Sequence, residues 1–228
     1  MLKTIFGALL CLGLLVSQVS AQQAIVNLPS ADITPEGKHF LMNESFVDPG
    51  IWNSVHFYTY GVKDGTELAV TLYDLGKPAR DSLAIALGYK SQFELAPDNE
   101  TFREIRLTHG LMLPVNLRGR GLGVYGYSHV SGRIQATDTR LTAGLAAGTS
   151  HLFGRPTVCA MVAAEQPLTP EVQLIAEWYS GSHDFGNLIT GIVYHNHEHD
   201  FVLVGGYKFP NNYNIGKNGI VLEFGGFF

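Results

Sequence analysis

Residues 67–73 read Glu-Leu-Ala-Val-Thr-Leu-Tyr, and this short stretch decides the fold because apolar and other side chains alternate along it. In an extended chain, successive side chains point to opposite faces, so Leu68, Val70 and Leu72 share one face. Residues 83–90, Leu-Ala-Ile-Ala-Leu-Gly-Tyr-Lys, repeat the pattern after a break that contains Gly, Pro and Asp. Two amphipathic strands separated by turn-forming residues predict an all-β fold.

The same form recurs as far as the C-terminus and gives about twelve predicted strands. They cover residues 38–47, 52–62, 66–74, 82–95, 102–113, 121–132, 139–148, 157–165, 171–180, 186–195, 200–208 and 219–228. An even count suits a closed antiparallel barrel with both termini on the periplasmic side, where residues 63–66 and 136–138 are expected to form short turns. The sequence therefore predicts an all-β, closed antiparallel transmembrane β-barrel of about twelve strands.

One face of each predicted strand is apolar, and the other carries Gly, Ala, Thr and isolated charges. A small polar lumen tolerates such residues, and the apolar face would then meet hydrocarbon. Past residue 21, no apolar run reaches the roughly 18 residues that a membrane helix needs. If the chain spans a bilayer, it spans it with strands. The sheet must then close, since lipid cannot satisfy the hydrogen-bonding groups of a free edge.

Residues 1–21 have the three parts of a secretory signal peptide. Lys3 supplies the positive charge, residues 5–16 the apolar core, and residues 19–21, Val-Ser-Ala, the cleavage site. We expect cleavage near Ala21, so that the mature chain begins at Gln22 and is exported.

The rest of the chain is predicted to hold a periplasmic N-terminal lead-in, residues 22–36, tucked against the barrel mouth, and one barrel domain, residues 37–228. Cys159 would be the single cysteine of the mature chain, which leaves no intrachain disulfide. The formal net charge is −5 and no block of like charges occurs, so we expect no nucleic-acid partner.

The last nine residues are Ile-Val-Leu-Glu-Phe-Gly-Gly-Phe-Phe. Counting back by twos from Phe228 gives Gly226, Phe224, Leu222 and Ile220. This pattern resembles the C-terminal assembly signal of bacterial outer-membrane β-barrel proteins, from which only Gly226 departs. The resemblance implies that Phe228, Phe224, Leu222 and Ile220 are read by the barrel-insertion machinery, and that outer-membrane lipid surrounds the folded protein.

Residues 178–211 also resemble uncharacterised small porin-like barrels, a likeness that brings no established activity. Many aromatic residues lie toward the predicted strand ends, where the aromatic girdles of a membrane barrel would sit; the alternative is that aromatics are simply common in sheets. They are Phe40, Phe46, Trp52, Phe57, Tyr125, Tyr127, Trp178, Tyr179, Tyr194, Tyr207, Phe209 and Phe228.

Seven charged residues fall on the face assigned to the lumen. They are Glu67, Lys90, Glu104, Arg106, Glu177, Lys208 and Glu223. Charges of both signs across a narrow barrel either line a selective constriction or pack the interior as a structural network. The first reading predicts a small channel or passive transporter for a small solute, without a cofactor.

Two further clusters have chemical potential. His195, His197 and His199 alternate, so an extended backbone would aim all three to one side as weak candidates for a metal site, whereas a turn here would make them a solvated loop. Residues 180–184, Ser-Gly-Ser-His-Asp, contain the residue types of a membrane-embedded hydrolase, but they lack a motif and fit an exposed hairpin connection better. We therefore expect no enzyme.

Two other classes fit the same pattern of strands. One is a closed structural or surface-interaction barrel that acts through loops near 48–53, 149–156, 181–187 and 210–219. The other is a soluble secreted β-sandwich, for which the acceptor patterns at Asn43 and Asn99 would matter only in a eukaryotic secretory route.

Overall fold

A computed structural model describes residues 24–75, 83–117, 122–150, 157–183 and 185–228. The predicted signal peptide lies outside these residues. The strands are β1 His39–Asp48, β2 Ile51–Lys63, β3 Thr66–Leu75, β4 Ala84–Ala96, β5 Phe102–Asn116, β6 Tyr125–Ile134, β7 Arg140–Gly148, β8 Val158–Pro167, β9 Val172–Tyr179, β10 Asn187–Asn196, β11 Phe201–Pro210 and β12 Gly219–Phe227. Within the described ranges, no helix is long and apolar enough to cross a membrane.

The twelve strands form one closed antiparallel barrel, in which each strand pairs with its neighbours in sequence and β1 pairs with β12. The closing register runs from Phe40 opposite Phe227 to Val47 opposite Ile220. The predicted fold class is confirmed, and a β-sandwich is excluded because the strands belong to a single closed sheet. Strand bounds differ from prediction by a few residues, as where β6 begins at Tyr125 rather than at 121.

The two ends of the barrel differ in the length of their connections. At the end that holds residues 39 and 227, the connections span 64–65, 97–101, 135–139, 168–171 and 197–200; at the other end they span 49–50, 76–83, 117–124, 149–157, 180–186 and 211–218. We call these the terminus end and the loop end. The predicted turns at 63–66 and 136–138 both lie at the terminus end, as expected.

The outer wall of the barrel is mostly apolar, although Asn43, Ser45 and His56 form a polar patch on the outer face of β1 and β2. In β12, Ile220, Leu222 and Phe224 are each about half exposed, whereas Val221 and Glu223 between them are buried. The same alternation repeats around the sheet, for example at Leu141 and Leu145 in β7. An exposed apolar wall that extends over so many strands is larger than single soluble domains usually carry.

The lumen is filled. Residues 24–36, which we call the plug, thread through the barrel from the terminus end, and Ile25, Val26 and Leu28 near its tip are fully buried. The prediction that this segment tucks against the mouth is therefore wrong in position. Its apolar residues find a better environment inside, where they pack against inward side chains of the wall.

The plug also explains why part of the predicted aromatic girdle is wrong. The inward aromatic residues are Phe40, Phe46, Phe57, Tyr125, Tyr127 and Tyr179, of which all but Phe57 and Tyr125 are almost completely buried. They provide the inner apolar surface against which the plug packs. The outward and exposed ones are Trp52, Trp178, Tyr194, Tyr207, Phe209 and Phe228. Only this second group has the exposure that a girdle requires.

Candidate functional site: the occupied lumen

The plug passes the rim of the barrel beside a glycine of β2. Glu36 forms a parallel bridge with Gly61, the Gly37 N–H donates to the Gly61 carbonyl at 2.9 Å, and the Gly61 N–H donates to the Lys38 carbonyl at 3.1 Å. A Cβ at Gly61 would overlap the backbone of Pro35. The absence of a side chain therefore lets the plug backbone lie against the wall.

The tip of the plug is held by one carboxylate. Residues 25–28 form a turn closed by the Ile25 N–H and the Leu28 carbonyl at 2.7 Å. Glu177 Oε2 accepts the N–H groups of Val26 and Leu28, each at 2.9 Å, and Glu177 Oε1 accepts that of Asn27 at 2.8 Å. Successive N–H groups converging on an anion form a nest, so the plug supplies the carboxylate with hydrogen bonds in place of water. Glu177 lies near the loop-end terminus of β9, which shows how deeply the plug reaches.

The middle of the plug is held by an arginine. Arg140 donates two hydrogen bonds to the Asp32 carboxylate, each at 3.0 Å, and lies 3.6 Å from Glu165 Oε2. Burial alone would raise the pKa of Asp32, but the charge and the hydrogen bonds of Arg140 outweigh it and lower the pKa below its ordinary value. Asp32 is therefore ionised at neutral pH, and the bidentate geometry fixes the rotation of the plug.

A second cationic side chain, that of Lys90, also binds the plug. The Lys90 ammonium contacts Glu67 at 3.0 Å and donates to the Asp32 carbonyl at 2.6 Å. The other Glu67 oxygen accepts the Thr34 N–H at 2.7 Å. Glu67 and Lys90 are direct partners across β3 and β4, so this part of the predicted ladder of opposite charges is present.

The structure divides the seven predicted lumen charges into two groups. Glu67, Lys90, Glu177 and Glu223 are buried inside, and Lys208 is mostly buried and contacts Asp48 at 2.9 Å. Glu104 and Arg106 instead lie near the terminus end, where Glu104 contacts Arg133 at 3.1 Å and Arg106 donates to Gln92 at 2.6 Å.

Four charged groups of the lumen were missed by sequence reasoning: Asp32, Glu44, Arg140 and Glu165. The inward position of Glu44 could have been predicted, because Glu44 lies at every second position with Phe40, Met42 and Phe46 and so shares one face of β1 with them. The position of Asp32 could not have been predicted, since the plug has no periodic pattern and the partner of Asp32, Arg140, is more than a hundred residues away.

Glu44 and Glu223 face each other across β1 and β12 on the inner wall. Both are buried, and Glu44 Oε1 and both carboxyl oxygens of Glu223 have no hydrogen-bond partner among the described residues. They differ in this from Glu67, Glu177 and Asp32, which are all bound by the plug or the wall.

The histidine cluster does not converge. His195 ends the inner face of β10 and is buried, while His197 and His199 lie exposed in the turn 197–200. The rings of His195 and His197 stack 6.0 Å apart, and His197 Nε2 lies 3.0 Å from the Pro170 carbonyl. In the part of the chain that is described, no three His, Cys, Asp or Glu residues are placed to hold a metal ion.

The Ser, His and acid cluster lies in the loop-end connection 180–186, where a hairpin connection was expected. Ser180 Oγ accepts the Ala160 N–H at 2.8 Å, and His183 is buried. Asp184 lies outside the described residues, so its relation to the other two side chains is not part of this site.

These features define a class of protein: a twelve-stranded antiparallel barrel with an apolar outer wall and a lumen occupied by its own N-terminal segment. No family model matches the sequence, and no curated protein is significantly similar to it. The functional reading therefore depends on the geometry of the lumen.

Proposed function

We propose that the chain is a bacterial outer-membrane barrel that works as a small channel or passive transporter and is closed at rest by its plug. The observation that carries this proposal is how the plug is attached. It lies along the lumen, and the contacts that hold it to the wall at Glu177, Arg140 and the Glu67–Lys90 pair are hydrogen bonds and ion pairs. Such contacts can be exchanged for water or solute when the segment moves.

The outer wall supports the membrane part of the proposal. Exposed Leu, Ile, Val and Phe side chains would cost free energy in water and none in hydrocarbon. Exposed Trp52, Trp178 and Tyr194 lie toward strand ends, where they fit the interfacial regions of a bilayer. Ile220, Leu222, Phe224 and Phe228 are all exposed on β12 and its end, and are thus accessible to the insertion machinery.

Fractionation of the expressing cell tests the location. We expect the protein in the outer-membrane fraction, with a gel mobility that changes between unboiled and boiled samples. A protein that stays monodisperse in buffer without detergent would contradict the membrane assignment.

Planar-bilayer recording tests the transport activity. We expect the wild-type protein to show rare, brief openings, and Glu177→Gln to show more frequent ones because it loosens the plug. The matched control is Glu198→Gln, which removes a carboxylate from the exposed turn 197–200 and should behave as wild type.

The filled lumen also favours a second function, a permanently closed structural or surface-interaction barrel. The described parts of the predicted interaction loops, near 48–53, 149–156, 181–187 and 210–219, all lie at the loop end. A correctly assembled barrel without conductance, in wild type and Glu177→Gln alike, would select this second function.

A further inference from the structure

The buried acidic groups of the lumen outnumber its buried basic groups. Lys90 is paired with Glu67, Arg140 with Asp32 and Glu165, and Lys208 with Asp48, while Glu177 is bound by three plug N–H groups. Glu44 and Glu223 are left over, and the three oxygens named above lack partners among the described residues.

The surroundings of the Glu44–Glu223 pair do not stabilise its two carboxyl groups in the charged form. Direct partners across an antiparallel ladder have Cβ atoms about 4.5–5.5 Å apart, so the two carboxyls repel when both are ionised. Their nearest inward neighbours along the strands are Met42, Phe46 and Val221, which are apolar and buried. Glu177 adds repulsion to both carboxyls, and Lys208, which is bound to Asp48, attracts Glu44.

Two unpartnered carboxyl groups aimed into a lumen call for a cationic ligand. A hard metal ion needs about six oxygen ligands, which the apolar neighbours cannot supply. An ammonium group has up to three N–H donors and needs only a few acceptors. Glu177 already shows this chemistry, since it is bound by N–H donors of the plug.

We infer that Glu44 and Glu223, together with Glu177, form a binding site for a small organic cation with N–H donors, such as a primary ammonium. The plug tip occupies the Glu177 part of this site in the closed state, and the cation and the plug compete there. The inference names the substrate class of the proposed transporter and therefore rests on that function.

The first test measures binding without conductance. The temperature at which the detergent-solubilised barrel loses its unboiled gel mobility is measured in methylammonium chloride and in tetramethylammonium chloride of equal ionic strength. Tetramethylammonium has the charge but no N–H donor. We expect the wild-type midpoint to be about 2–4 °C higher in methylammonium, and Glu44→Gln with Glu223→Gln to abolish the difference.

Glu198→Gln is the matched control and should keep the difference. Equal midpoints of the wild-type protein in the two salts would overturn the inference, and would do so even if the double variant failed to assemble. A difference that survives in the double variant would overturn it as well.

The second test separates this inference from the proposed function. In a KCl gradient across a planar bilayer, the openings of Glu177→Gln should be selective for K⁺, and the added Glu44→Gln and Glu223→Gln changes should reduce that selectivity at least threefold. Absence of openings would refute the transporter while leaving the binding test decisive. Openings whose selectivity is unchanged by the added substitutions would refute the cation site alone.

Discussion

Replacing Glu177 by Gln should release the tip of the plug while leaving the barrel intact. The carboxylate accepts three N–H groups at 2.8–2.9 Å in a buried setting. The amide keeps one acceptor oxygen, which can still serve the two N–H groups that Oε2 now binds, but its NH₂ group would face the third N–H as a second donor. The variant thus loses one hydrogen bond outright and the charge that strengthens the other two.

The size of the effect follows from these three bonds. A hydrogen bond to a charged group contributes about 1.5–3 kcal/mol, a neutral one about 0.5–1.5 kcal/mol, and an unsatisfied buried donor costs about 1–3 kcal/mol. A net loss of about 3 kcal/mol in plug docking is a conservative sum. At about 1.4 kcal/mol per factor of ten, the undocked population should rise about a hundredfold.

Thiol labelling of the plug measures this population. Ser30→Cys places a small reactive group at a fully buried plug position, in a background in which Cys11 and Cys159 are replaced by Ser. When undocking is fast and reversible, the labelling rate follows the undocked fraction. We expect Glu177→Gln to label about a hundredfold faster and Glu198→Gln to label as the parent does. A change of less than threefold, in a barrel that still shows heat-dependent mobility, would refute the idea that Glu177 holds the plug.

Four further outcomes are expected. Gly61→Val should speed the same labelling at least tenfold, since its side chain would occupy the path of the plug backbone; an unchanged rate would contradict that path. Because the pKa of Asp32 is lowered in the docked plug, Asp32 stabilises docking fully above the ordinary carboxyl value of about 3.9. This stabilisation is lost as pH falls through the lowered pKa. Pepsin should therefore cleave the plug faster as pH drops below 4, and the rate should depend less steeply on pH in Asp32→Asn. Ile192→Arg lies in the middle of the outer face of β10 and should cost about 2–4 kcal/mol if that face meets lipid. It should reduce the heat-modifiable fraction, whereas Tyr213→Arg in a loop-end connection should leave that fraction unchanged. Equal yields of the two variants would argue against a bilayer around β10. Phe228→Ala should slow assembly in cells while keeping the backbone hydrogen bonds of residue 228 with His39, and normal assembly would count against its role as a signal.

The wall of the barrel could be predicted from the sequence, because alternation is a local property. Leu68, Val70 and Leu72 define a face without any knowledge of distant residues, and Glu67 and Lys90 follow on the opposite face of neighbouring strands. The inner aromatic residues were predicted wrongly, because closeness to a strand end does not show which face a side chain occupies. Phe40 lies an even number of residues from Glu44 on β1, so both side chains are on the inner face.

The plug could not be predicted in the same way. Residues 24–36 have no periodicity, and their partners Glu177 and Arg140 are about 150 and 108 residues away in sequence. A carboxylate on the inner face of β9 is visible in the sequence, but the backbone N–H groups that bind it are not. Contacts made through the backbone leave no residue-type signature, so the site appears only once the chain is folded.

The two kinds of contact in the plug have different consequences for opening. Ile25, Val26 and Leu28 are fully buried, and exposing each to a wet lumen would cost about 1.5–3 kcal/mol. The ion pairs of Arg140 and Lys90 cost less to break, because the separated charges regain hydration when water enters. The apolar tip therefore sets most of the free energy that keeps the barrel closed, and the charged contacts set where along the lumen the plug stops. The N–H groups that a ligand would displace from Glu177 belong to the same plug residues that carry the buried apolar side chains. A ligand that competes for Glu177 therefore weakens both the polar and the apolar contacts of the plug tip.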